Sequence, residues 1–158
     1  MSEFQISIFF HFLGLGLFFT TLAGGIMLEA QYRRARDIQQ RLTIISSLKS
    51  IGILSPVAVL IMLASGISNM ISRGYGVLTV GWLTAKIILF AIMAISGILF
   101  AVKSRKRSKI VHDTATGNAP ADAAEQLKSL NGQVSLFYLV MFVLIVLIIG
   151  LSVYGVAS

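Results

Sequence analysis

Few side chains in this sequence can do chemistry, and those few lie in apolar surroundings. His11 stands inside the run FFHFLGLGLFF, and Lys86 follows Trp82 by four residues in GWLTAKIILF. Ionisable groups inside such runs are costly, so they are the first place to look for function. A neutral imidazole is a good iron donor, which makes His11 a candidate metal site as axial ligand to a haem iron. It reads equally as a histidine hydrogen-bonded to a neighbouring helix. Lys86 could hold an anion such as a haem propionate or a quinone oxygen, or its long stem could carry the ammonium up to the headgroups. Arg73 is a further candidate for the same anion. Glu29, four residues before Arg33, reads as half of an interfacial ion pair. His112 follows the basic run KSRKRSK and reads as solvated. There is no cysteine, which excludes disulfides, thiolate metal sites, iron–sulfur clusters and thiol nucleophiles.

The elements that must position these groups are membrane spans. Of 158 residues, 56% are hydrophobic and 12% charged, and the mean hydropathy is +0.89. That is too apolar for a soluble domain, where roughly 25% charged residues are usual. Four stretches reach the ~20 apolar residues that cross a bilayer, at 4–30, 51–71, 80–102 and 134–156. The first lacks a basic n-region and is too long for a signal peptide. The expected fold is therefore an all-α, four-helix transmembrane bundle of up-down topology in one domain.

Eleven Lys and Arg fall between spans one and two or between spans three and four, against Arg73 alone on the other side. This asymmetry predicts cytoplasmic basic loops and both termini outside, in a bacterial inner membrane. The net charge of +7 then belongs to topology and lipid contact, and nucleic acid is excluded as a partner. His11 lies about 8 Å and Lys86 about 9 Å below the outer boundary at 1.5 Å per residue, so they share a level. Trp82 occupies the aromatic-belt height on the Lys86 face.

Small residues mark expected packing faces: Gly16, Thr20 and Gly24 on span one with Gly14 and Gly25 nearby, Ala64 and Ser68 on span two, Gly97 and Ala101 on span three with Ala94 one turn before. Span four, almost uniformly aliphatic, is expected to face lipid most. The period of Ile38, Leu42, Ile45 and Leu48 extends span two into the cytoplasm as an amphipathic helix, and Pro56 should kink it. Residues 72–79 form a tight outer turn, and DTATGNAPADAA at 113–124 forms a flexible linker.

The His early in FFHFLGLGLFFTTLAGGIMLE, the Arg-Leu and later Pro of QQRLTIISSLKSIGILSP, and the Trp-Leu-x-x-Lys of GWLTAKIILFAIMAISG together resemble the CopD-like and HemJ-like superfamily of small bacterial membrane proteins. The likeness covers roughly residues 6–102. It implies b-haem binding, with His11 as ligand, Trp82 and Lys86 as site residues, and a HemJ-like oxidoreductase activity. Those oxidases carry a further His late in the third span, where this chain has Ile95, Ser96 and Gly97. The resemblance then implies five-coordinate iron, or a second ligand from Met, a second copy or a partner. Copper transport, the CopD-like alternative, lacks its Cys and its Met or His cluster. Two functions follow: a haem-b protein handling electrons or a porphyrin, or a non-catalytic subunit of a homo-oligomer or larger membrane complex.

Overall fold

The computed structural model describes residues 2–76 and 80–157. It is built of α1 (Glu3–Arg34), α2 (Ile38–Gly52), α3 (Leu54–Ser72), α4 (Gly81–Ala115) and α5 (Ala123–Ala157). Among the described residues there is no strand. The Ser2 hydroxyl accepts from the Gln5 N–H while the Gln5 side chain bonds back to the Ser2 N–H, which starts α1. Asp37 caps α2 at 2.7 Å from the Gln40 N–H. The junction between α2 and α3 lies at Ile53, where helical dihedrals continue. Pro56 explains the break: it has no N–H for the Gly52 carbonyl four residues back, and its ring crowds that carbonyl. Together α2 and α3 make one crossing, so four helices are long and apolar enough to span a bilayer. The chain is a multi-pass membrane protein with an all-α, four-helix bundle, its N- and C-terminal ends on one side and its basic segments on the other.

The buried faces of α1 and α4 follow a three-and-four spacing. On α1 it runs through Ser7, Gly14, Phe18, Leu22, Gly25, Glu29 and Tyr32, with half-buried His11 in the same register. On α4 it joins Leu83, Met93, Arg107 and Val111, with half-buried Lys86, Phe90 and Phe100 in register. Such spacing keeps one seam inward along a long helix. The closest helix pairs are α1 with α3 and α4 with α5, whereas α1 and α4 face each other diagonally and α3 hardly approaches α4. The central core joins Phe18 and Leu22 to Met62, Met93, Met141 and Ile145.

The structure corrects several expectations. α5 is not the lipid-exposed helix: Met141, Leu144, Ile145 and Ile148 are core residues, while only 6% of the apolar window of α4 is buried against 28% for α5. A uniformly aliphatic helix offers no polarity contrast to show which side is inward. The close approaches use Gly14 and Gly25 rather than Gly16: a Cβ at Gly14 would lie 2.7 Å from Met62 Cγ, one at Gly25 would lie 2.6 Å from the Tyr138 hydroxyl, and one at Gly16 would meet nothing within 4 Å. Ala64, Gly97 and Ala101 likewise mark no packed face: Ala64 and Ala101 are exposed, and a Cβ at Gly97 would meet nothing within 4 Å. The basic run is helical, since α4 continues to Ala115, and the 113–124 linker shrinks to a short connection turning at Gly117 (φ +77°). The expected 72–79 turn is described through Gly74 (φ +67°) to Gly76, and residues 77–79 lie outside the described residues. The amphipathic extension is present: Ile38, Leu42, Ile45 and Leu48 pack with Tyr32 and Val111 in a second core.

Candidate functional site

His11 is presented by the second turn of α1 toward α3. Its Nδ1 lies 3.0 Å from the Ser65 hydroxyl, and its ring edge rests beside Gly66, where a Cβ would stand 3.8 Å from Cε1. The hydroxyl decides the tautomer. Ser65 donates its single proton back along its own helix, with Oγ 2.6 Å from the Ile61 carbonyl and 3.2 Å from that of Met62. With that proton given to the Ile61 carbonyl, the oxygen accepts from Nδ1–H, and in that tautomer Nε2 carries the lone pair. This is the arrangement in which a metal-binding histidine is oriented by the bond its other nitrogen makes. Ser7 fastens the same place, donating from Oγ to the Ser65 carbonyl at 2.9 Å. The α1–α3 contact is tight enough for these short side chains because Gly14 sits one turn below against Met62.

Lys86 projects from α4 into the same outer half, close enough for its charge to act on the His11 ring. Its ammonium has no carboxylate partner among the described residues. The other two expected site residues lie elsewhere. Trp82 packs its indole flat against Gly155 of α5, where no Cβ would fit, and meets Tyr75 edge to face at 6.3 Å. Arg73 is exposed, its guanidinium 5.0 Å from the Phe4 ring centroid. The structure thus joins His11 to Ser65, which the sequence did not single out, and leaves Trp82 and Arg73 in separate contacts. His112 is exposed near the end of α4. No group of three His, Cys, Asp or Glu stands ready for a metal ion among the described residues.

A second polar site, at the basic end, was hidden in the sequence. Arg107, one of the eleven basic residues that read as a topology signal, is 1% exposed. Its Nη1 donates to Glu29 Oε2 at 2.8 Å and approaches Asn131 Oδ1 at 3.4 Å, and its guanidinium lies 4.5 Å from the Tyr32 ring centroid. Glu29 therefore pairs chiefly across the bundle. The expected neighbour Arg33, half exposed, stands farther off at 3.6 Å. A signal for Arg107 was present in its spacing: Ile110 and Val111, three and four residues on, put an apolar face under it.

No protein-family model matches the chain, and neither a curated protein nor a solved structure is found to be similar to it.

Proposed function

We propose that this small integral membrane protein holds a b-type haem through His11, with an electron-handling or porphyrin-related role. The observation that carries the reading is the free Nε2 of an imidazole whose other nitrogen is fastened to a hydroxyl with no proton to give. Lys86, without a carboxylate partner among the described residues, would supply the positive charge a propionate needs. The chain's other histidine, His112, lies at the far end of α4, and His11 would hold the iron. A haem held there supplies one-electron chemistry. The chain's own part is to fix the ring through Ser65 and Ser7 and to offer the Lys86 charge. The positive-inside asymmetry places both termini outside and the basic end in the cytoplasm of a bacterial inner membrane.

The test is an absorption spectrum of protein extracted from membranes of cells supplied with haem. The expected result is a Soret band that disappears in His11→Ala. A colourless preparation rejects the reading.

A second reading, a non-catalytic subunit of a homo-oligomer or larger complex, is favoured by the unfilled surface at Gly16 and Thr20 on α1. Gly16→Leu should then change the sedimentation of the protein in mild detergent, and unchanged sedimentation removes that reading.

A further inference from the structure

The basic end holds more hydrogen-bond donors than acceptors. Arg33 and Arg107 share a single carboxylate, Glu29, and the guanidiniums of Arg107 and Arg41 lie 4.5 and 5.7 Å from the Tyr32 ring centroid. Among the described residues the Nε of Arg41, the Nε of Arg107 and the Tyr32 hydroxyl are buried donors with no hydrogen-bond partner, against one such acceptor in the cluster, Glu29 Oε1. Buried donors of this kind cost free energy until something accepts from them. Of these, Arg41 also lines an open hollow of about 600 Å³, together with Lys128, Asn131 and the apolar Ala123, Ala124 and Leu127. No carboxylate lines it. Asn131 turns its oxygen to Arg107, which leaves its amide N–H groups to donate elsewhere. Thr114, also on the wall, has its hydroxyl proton committed to the Ile110 carbonyl and can only accept. The opening turn of the 35-residue helix α5 lies on the wall, adding the positive end of its dipole. Cationic and amide donors over an alanine and leucine floor suit an anionic head carried on an apolar body.

We propose that this hollow binds a phosphate group, held by Arg41, Lys128 and Asn131, and that the group comes from an anionic lipid or from free phosphate. The site is independent of His11, which lies at the other end of α1.

The test uses the full-length, delipidated protein in detergent. Native mass spectrometry compares retention of phosphatidylglycerol with that of phosphatidylcholine, and a melting curve is recorded with and without millimolar inorganic phosphate. Wild type is expected to prefer phosphatidylglycerol by about tenfold or more, from two basic residues each contributing near the surface. An Arg41→Gln, Lys128→Gln variant should lose the preference, while a Lys103→Gln, Lys106→Gln variant of equal charge keeps it. If the first variant does not fold, Ala124→Leu narrows the hollow with its charges intact and should weaken the preference too. Phosphatidylglycerol preference without a phosphate response identifies a lipid, and a response to phosphate alone identifies the free anion. The proposal is overturned by a wild type indifferent to both, by an Arg41 and Lys128 variant that keeps the preference, or by equal losses in the two charge variants.

Discussion

Two polar sites lie along the inward seams of α1 and α4, one at each end. At the terminal end His11 meets Ser65 and feels Lys86; at the basic end Glu29 is bonded to Arg107. His11 and Glu29 are 18 residues apart on α1, and Lys86 and Arg107 are 21 apart on α4. At 1.5 Å per residue these separations are about 27 and 31 Å, close to the thickness of the hydrocarbon core. Each end has a cation on α4, and at the basic end the Arg107 guanidinium reaches across to Glu29 of α1. They differ in how far their bonding is complete. Arg107 and Glu29 are 1% and 4% exposed and joined at 2.8 Å, whereas His11 keeps a free ring nitrogen and Lys86 has no counter-charge among the described residues. A closed pair holds helices together, and an open one is available to a ligand.

That contrast can be broken most severely at the closed end. Arg107→Ala leaves the Glu29 carboxylate without its main partner and is expected to lower stability by about 3–5 kcal/mol, read from unfolding in mixed micelles. Replacing both members, Glu29→Met with Arg107→Leu, should recover most of that loss, because no charge is then left stranded. A double variant as unstable as the single one would show that Arg107 acts through Tyr32 and Asn131 instead. Gly25→Leu, driven against Tyr138, should cost about 1–3 kcal/mol from overpacking in the same assay. Gly16→Leu, with open space around it, should cost less than about 0.5 kcal/mol. At the open end Ser65→Ala should cost about 1 kcal/mol, one net hydrogen bond, and should alter any haem spectrum, since the ring loses the contact that orients it. Lys103→Gln with Lys106→Gln, both exposed, should leave unfolding unchanged within about 0.5 kcal/mol.

The spans, and the α2 extension with its break near Pro56, were legible because apolar length and a single proline act locally on hydropathy and backbone bonding. Partner choice across the bundle was not legible. Arg107 looked like its neighbours because a basic run hides which member points inward, although Ile110 and Val111 beside it carried the signal. Glu29 has Arg33 four residues away on its own helix, and the stronger partner comes from a helix that begins some 50 residues later. The role of Ser65 was not legible either, since a serine in an apolar helix gives no indication of where its proton goes until the Ile61 carbonyl is placed.

The most direct measurement is the protonation of the His11 ring, by nitrogen NMR of ¹⁵N-histidine protein in lipid bilayers at neutral pH, with His112 assigned by substitution. The account predicts a neutral imidazole with its proton on Nδ1 and a bare Nε2, and a mixture of tautomers once Ser65 is changed to Ala. A proton fixed on Nε2, or a ring protonated on both nitrogens, would contradict it.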